Sequence, residues 1–126
     1  MSSIVFDSSA VLAVLQQEIG AETAITFFPN AIISTINVAE VLSKLVEKGA
    51  AIETAIESFQ LLKIEEVDFD FEQAAKVAEL RPLTKHLGLS LGDRSCLALA
   101  MLQNTSAVTA DREWNKLTFC QIEVIR

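Results

Sequence analysis

The sequence predicts an α/β fold: a three-layer α/β/α domain around a central, mostly parallel sheet of four to five strands. Three observations carry that expectation. Short apolar runs alternate with stretches of helical spacing from one end of the chain to the other, the pattern of strands joined by helical crossovers. Hydrophobic residues make up 51% of the 126 residues and charged residues 21%, enough apolar material to cover both faces of a sheet and far too much for a disordered chain. No repeat, low-complexity tract or Pro/Gly-rich linker interrupts the pattern, so residues 1–126 read as one domain.

The elements follow in order. Ile4 to Phe6 is the first strand, and Ala10, Val11, Val14 and Leu15 follow it at helical spacing. After Gly20, residues Ala21, Ala24, Ile25 and Phe28 make a second short helical stripe, closed by the turn signal Pro29-Asn30. Ala31 to Ser34 is the next strand. Val38, Val41, Leu42, Leu45 and Val46 form an amphipathic stripe that Gly49 is placed to end. Ile52, Ala55, Ile56 and Phe59 continue as another helix, and Ile64 to Val67 is a third strand. Phe71, Ala74, Ala75 and Ala78 make a helix expected to stop near Pro82. After a loop from Leu83 to Leu89 comes the most apolar helix, Leu91 to Leu102, expected to be buried between the sheet and other helices. A strand at Ala107 to Thr109, a short helix from Arg112 to about Leu117 and a last strand around Gln121 to Ile125 complete the chain. Helices outnumber strands, so some crossovers contain two of them.

Four acids fall where such a fold places its chemistry. Asp7 closes the first strand, Asp93 opens the apolar helix and Asp111 follows the strand ending at Thr109. Glu40 stands early in the helix after the second strand. Each has an ordinary structural reading. Asp7 is a favoured helix N-cap. Ser90-x-x-Asp93 fits a capping box, as does Asn37-x-x-Glu40. Asp111 is placed to cap the short helix after it, and Glu40 lies on the polar face of its helix beside Ser43, Lys44 and Glu47, the position of a solvated side chain. The conjunction favours a site. Strand ends and the helix starts that follow them line one crevice in an open α/β sheet, and three or four carboxylates there suit a hard divalent cation, Mg²⁺ or Mn²⁺. Thr109 is placed to donate its hydroxyl to a neighbouring carboxylate, and Trp114 reads as a packing residue.

Other chemistries fit poorly. His86 is the only histidine; no nucleophile elbow, Cys/His pair, Gly-rich phosphate loop or zinc-ligand spacing is present. The acids therefore point to metal-assisted hydrolysis, with a phosphodiester as the usual substrate of such a site. The net charge of −7 disfavours general affinity for nucleic acid, but the distribution is uneven. No Lys or Arg precedes Lys44, whereas five cations (Arg81, Lys85, Arg94, Arg112, Lys116) stand against three acids between Arg81 and Lys116. Cys96 and Cys120 lack metal-ligand spacing, Met1-Ser2-Ser3 lacks the basic start of a leader, and no apolar run is long enough to span a membrane. The expectation is a reduced, cytoplasmic protein.

On these residues the chain resembles the PIN domain family, and within it the VapC ribonuclease toxins of toxin–antitoxin pairs. The resemblance covers essentially the whole length. It rests on Val5-Phe6-Asp7-Ser8-Ser9-Ala10, on Asn37-Val38-Ala39-Glu40-Val41, on Leu89-Ser90-Leu91-Gly92-Asp93-Arg94-Ser95-Cys96-Leu97-Ala98-Leu99-Ala100, and on Val108-Thr109-Ala110-Asp111-Arg112-Glu113-Trp114. The third is the most specific. The resemblance implies that Asp7, Glu40, Asp93 and Asp111 are the acidic quartet that binds Mg²⁺ or Mn²⁺. Asp7 and Asp93 would be direct ligands; Glu40 and Asp111 would bind through water or position the attacking water. Ser9 and Thr109 match hydroxyl positions that support the site. It implies cleavage of single-stranded RNA by metal-activated water, a cognate antitoxin that covers the groove with a basic arm, and a second copy of the chain as a homodimer partner. Two other readings remain open at this point: a catalytically silent scaffold of the same fold, and a signalling receiver domain with Asp68 or Asp70 as acceptor. The receiver reading lacks the Lys expected after its last central strand, since Thr109 is followed by Ala110-Asp111.

Overall fold

The computed structural model describes residues 3–126; Met1 and Ser2, on which the expectation about a leader rests, lie outside the described residues. The elements are β1 (Ile4–Phe6), α1 (Ser8–Leu15), α2 (Ala21–Ile25), β2 (Ala31–Ser34), α3 (Thr35–Glu47), α4 (Ile52–Gln60), β3 (Glu65–Val67), α5 (Phe71–Thr84), α6 (Leu91–Leu102), β4 (Ala107–Thr109) and β5 (Ile122–Val124). Short 3-10 turns cover Phe28–Asn30, Lys85–Leu87 and Arg112–Lys116. No helix among the described residues is long and apolar enough to cross a membrane.

The five strands form one sheet in the order β3-β2-β1-β4-β5. Every pairing is parallel, so the expectation of a mostly parallel sheet sharpens to a wholly parallel one. Side chains alternate across a strand, and that alternation divides the core in two. Val5, Ile32 and Ala107 face α5 and α6, packing with Val77, Leu80, Leu97, Leu99 and Trp114. Their neighbours Phe6, Ile33 and Val108 face the opposite way, packing with Ala10, Val11, Ala24, Val41 and Phe59 from the first four helices. The result is the expected three layers. Trp114 is fully buried in the first core, a packing residue as expected.

The chain runs outward from β1 through β2 to β3 with its helices on one face. It then returns across the sheet to β4 with α5 and α6 on the other. Crossovers of uniform hand require that change of face when the direction of travel reverses. The reversal leaves a topological switch point between β1 and β4, and the crevice beyond the carboxyl ends of the strands there is where open α/β sheets bind ligands. The strand order also removes the receiver reading. A receiver has the order 2-1-3-4-5, with its third strand at the centre. Here β3 is an edge strand, and Asp70 is the N-cap of α5, accepting from Gln73 N at 2.9 Å.

Two helices differ from the sequence expectation. α5 does not stop near Pro82 but runs through it to Thr84. Pro82 and Ala78, whose carbonyl loses its partner, are on the solvent side, where water satisfies the freed oxygen. Its buried face is Gln73, Val77, Leu80 and Thr84, whereas Phe71 at the head of the expected stripe is 87% exposed. The polar groups on that face have local partners: Gln73 Nε2 donates to Asp68 O at 2.8 Å, its Oε1 being left without one, and Thr84 Oγ1 donates to Leu80 O at 2.9 Å. In α3 the N-cap is Ser34, accepting from Ile36 N at 3.2 Å. Asn37 is therefore inside the helix, and the expected Asn37-x-x-Glu40 capping box does not form.

Candidate active site

The acids gather at the carboxyl edge of the sheet. Asp7 leaves β1 and caps α1, Asp111 follows β4, and Asp93 starts α6. Asp7 is only 3% exposed, and hydroxyls and an amide surround it. Ser9 Oγ donates to its Oδ1 at 2.7 Å, Ala10 N donates to the same oxygen at 3.0 Å, and Thr109 Oγ1 donates to Oδ2 at 2.8 Å. The two hydroxyls are bonded in turn to the end of β4. Ala110 N donates to Ser9 Oγ at 2.9 Å and Asp111 N to Thr109 Oγ1 at 3.1 Å. Ser9 and Thr109 are thus the stitching between the two strands at the switch point, and they fix both oxygens of Asp7. The sequence expectation that Thr109 donates to a nearby carboxylate holds, with Asp7 as the acceptor.

Asp93 forms a complete capping box with Ser90. Asp93 N donates to Ser90 Oγ at 3.1 Å and Ser90 N donates to Asp93 Oδ2 at 3.0 Å. Oδ1 takes no hydrogen bond among the described residues and is left for another ligand. Asp111 is exposed and caps the turn after β4, accepting from Glu113 N at 2.9 Å.

Glu40 departs from its expected place. It is half-buried rather than solvated. The fully buried Asn37 holds it: one Nδ2 donates to Glu40 Oε1 at 2.9 Å and to Gly92 O at 3.0 Å, joining α3 to the first turn of α6. The carboxylate of Glu40 lies directly against the Cα of Gly92, in the space a Cβ would fill. Asn37 and Gly92 are the site residues that the sequence reading misses. A signal exists for Gly92, because a glycine inside a helix costs about 1 kcal/mol against alanine and calls for a packing reason. Asn37 gave none, since its spacing to Glu40 has a sufficient capping explanation.

The electrostatics show that these carboxyls feel one another. Burial raises the pKa of Asp7 from 3.8 to about 6; its three hydrogen bonds oppose the rise and the charge of Asp93 adds to it. Asp93 is also raised, first by burial and further by Glu40 and Asp111, against the pull of its Ser90 bonds. The thiol of Cys96, one turn further into α6 and fully buried, is pushed up by burial and then by the charges of Asp7, Asp93 and Glu40. No cation neutralises the group: the ion pairs among the described residues are Lys76–Glu79, Lys116–Glu113 and Arg126–Glu18. Arg94, adjacent to Asp93 in sequence, turns away to donate to Val77 O at 3.1 Å. An oxygen-only set of acids without ion-pair partners among the described residues, two of them (Asp7 and Asp93) with raised pKa values, fits a hard divalent cation. Among the described residues, no three acidic, histidine or cysteine side chains stand in a ready-made metal cage. Asp7→Asn apart, the most direct test of the stitching is Thr109→Val. It strips Asp7 Oδ2 and Asp111 N of their shared partner; under the hydrolase expectation drawn from the sequence it is expected to lower RNA cleavage by roughly 10–100-fold, the usual cost of losing a supporting contact, and unchanged cleavage would count against this role.

A wholly parallel five-stranded sheet with acidic residues at the crevice of its switch point defines the class, an α/β domain whose ligand crevice is lined with carboxylates. The sequence profile of the PIN domain matches residues 4–119; the chain belongs to the PIN domain family. No curated protein sequence matches it. Solved structures similar to it include DNA-bound VapBC from Salmonella typhimurium, at 18% identity with both chains covered completely and a TM-score of 0.79. A toxin–antitoxin complex from Klebsiella pneumoniae aligns at 19% identity over 98% of each chain, with a TM-score of 0.78. A sarcin-ricin-loop-cleaving VapC toxin from Mycobacterium tuberculosis aligns at 13% identity over 94% of this chain and 99% of that one, with a TM-score of 0.74. At these identities the likeness establishes the fold.

Proposed function

We propose that the chain is a metal-dependent endoribonuclease, the toxin of a VapBC-type toxin–antitoxin pair, which hydrolyses RNA phosphodiester bonds. The observation that carries this reading is Asp7: an almost fully buried carboxyl at the switch point, raised to about 6 and without a cationic partner. A charge held in such a place needs compensation, and a divalent cation supplies it. Asp7 and Asp93 would hold Mg²⁺ or Mn²⁺, with Glu40 and Asp111 reaching it through water. Bound there, the cation would polarise a phosphoryl oxygen, lower the pKa of a water and neutralise the leaving oxygen.

The protein's part is positioning. Asn37 ties Glu40 Oε1, which leaves Oε2 to accept a hydrogen bond from the attacking water. Asp111 fronts the opposite side of the centre and can orient water there. Ser9 and Thr109 hold Asp7 in one orientation. The antitoxin, in this reading, covers the groove with a basic arm, to which a net charge of −7 is complementary. That structural relatives of the chain are toxin–antitoxin complexes supports that partner, and a homodimer and a single domain spanning 1–126 belong to the same proposal. So does a reduced, cytoplasmic setting, consistent with the free thiols of Cys96 and Cys120.

Purified protein freed of metal with EDTA is expected to lose cleavage of a fluorescently labelled single-stranded RNA and to regain it with Mg²⁺ or Mn²⁺. Cleavage that persists in the chelator would sink the proposal. Among the described residues no three carboxyls form a ready-made cage, the one observation on the side of a second reading, a silent scaffold of the same fold. Titration calorimetry separates the two: a scaffold releases no heat with Mg²⁺ or Mn²⁺.

A further inference from the structure

The five cations between Arg81 and Lys116 divide into two groups in the structure. Arg94 Nη1 donates to Val77 O at 3.1 Å, Arg112 Nε donates to Arg126 O at 2.9 Å, and Lys116 is paired with Glu113 at 3.0 Å. Arg81 and Lys85 are exposed, and neither side chain has a hydrogen-bond or ion-pair partner among the described residues. His86, also exposed, stands beside Lys85. Part of this is the ordinary preference for cations at the carboxyl end of a helix, here α5. That preference does not ask for acids to be absent. Yet no Asp or Glu lies between Glu79 and Asp93, in a chain with 17 acids against 10 Lys and Arg. Glu79 itself is paired with Lys76 at 3.2 Å.

The segment is anchored, and it leads to the acidic centre. Leu80, Thr84 and Leu89 are buried between its exposed positions, and Thr84 Oγ1 donates back to Leu80 O at 2.9 Å. Gly88, at φ +64°, ends the turn Lys85–Leu87, and its N–H donates to Lys85 O at 3.0 Å. Leu89 and Ser90 then deliver the chain to the capping box of Asp93. The same end of α6 is held against α5, because the Val77 carbonyl that Arg94 reaches lies one helical turn before Arg81. Leu83 and Leu91, 51% and 54% exposed, put apolar surface among the cations.

We infer that the exposed face of the α5–α6 turn is the track on which the RNA backbone runs away from the cleaved bond. Arg81 and Lys85 each contact a phosphate, and Leu83 and Leu91 offer apolar ground to the bases. An anchored cationic surface free of acids, on a chain of net charge −7, is matched to a polyanion that reaches past the acidic centre. This rests on the ribonuclease reading and adds to it the surface that holds the strand outside that centre.

The test uses the full chain and a fluorescein-labelled single-stranded RNA of about 16 nucleotides. Binding is followed by anisotropy over a range of salt in an Asp7→Asn background, and cleavage of the same RNA in the wild-type background. Circular dichroism checks that each variant is folded. The double substitution Arg81→Ala with Lys85→Ala is expected to reduce the salt slope by about 1.4, the counterion release of two phosphate contacts on a single strand. At about 0.1 M salt that is about 25-fold in affinity. The exchange Arg81→Lys with Lys85→Arg keeps both charges and should keep the slope. Lys116→Ala, which removes a cation already paired with Glu113, should change slope and affinity much less. With cleavage, the double variant should raise KM and leave kcat within about twofold, as expected for lost uniform binding. Unchanged slope and KM in the double variant would remove the track and leave the ribonuclease reading standing, as would a loss matched by Lys116→Ala. Displacement of the RNA by polyglutamate as effectively as by unlabelled RNA of equal charge would assign the surface to acidic protein chains instead. An RNA neither bound by the parent nor cleaved by the wild type would end both readings.

Discussion

Asp7→Asn is expected to cut RNA cleavage by about three orders of magnitude, roughly 4 kcal/mol of transition-state stabilisation, and at the same time to make the metal-free protein more stable. The two effects have one origin. The folded pKa of Asp7 is raised from 3.8 to about 6. Below the unfolded value the group is protonated in both states and costs nothing. Between about 4 and 6 the unfolded chain ionises while the folded one resists, so stability falls as pH rises; above 6 the penalty is complete. Each pKa unit is worth about 1.4 kcal/mol, which puts the full penalty at roughly 3 kcal/mol. Asn keeps an oxygen to accept from Ser9 and Ala10 and carries no charge to bury. The melting temperatures of the metal-free proteins should therefore coincide near pH 3.5, with the variant ahead by several degrees at pH 7.5. Mg²⁺ should narrow the gap by stabilising the wild type alone, since a ligand that binds only the native state adds to its stability. Parallel melting curves at both pH values would show that Asp7 is not a carboxyl held for a cation.

Gly92→Ala is expected to separate activity from folding in the other direction. A Cβ at this position would overlap the Glu40 carboxylate. That carboxylate is the far end of a flexible side chain, so it can swing aside at small cost. Leaving Asn37 loses one hydrogen bond, about 1 kcal/mol, which the better helix propensity of alanine offsets by a similar amount. The melting temperature should stay within a few degrees of wild type. With Glu40 in its proposed role of orienting the attacking water, activity should fall by roughly 10–100-fold, because the displaced carboxylate no longer reaches that position. A variant that cleaves RNA at the wild-type rate would mean that the placement of Glu40 against α6 has no part in catalysis.

These two residues also mark how much of the site is legible in the sequence. Asp7 and Asp93 can be read because capping, which the structure shows, and the proposed ligation ask for the same thing: a short acid at the start of a helix. A capping preference is local, so the residue type and its neighbours reveal it. Thr109 is legible for a similar reason, as a hydroxyl two positions before Asp111. Glu40 is not. On its own helix wheel it belongs to the solvated face, and only the approach of α6 covers it. Asn37, whose spacing mimics a capping box, is turned into a cross-helix clamp by a carbonyl 55 positions further along. The misjudged face of α5 has the same root. Alanines and Phe71 look apolar enough to be core, but burial is decided by which side meets α6, and bonded polar groups such as Gln73 and Thr84 are admitted there.

What the sequence determines by itself is whatever repeats along the chain. The alternation of strand and helix follows from two periods of apolar residues, 2 and about 3.6. The proposed class of chemistry is read from acids without histidine, cysteine or glycine-loop partners in suitable spacing. What only the tertiary structure decides is whatever depends on which elements become neighbours. The order β3-β2-β1-β4-β5 puts β1 beside β4 across a hundred residues of sequence, and this adjacency lets Thr109 fix Asp7. The docking of α3 on α6 brings Glu40 against Gly92 at the first turn of α6. No local preference encodes either contact, because the energy that sets them is the burial of two separate cores on opposite faces of one sheet.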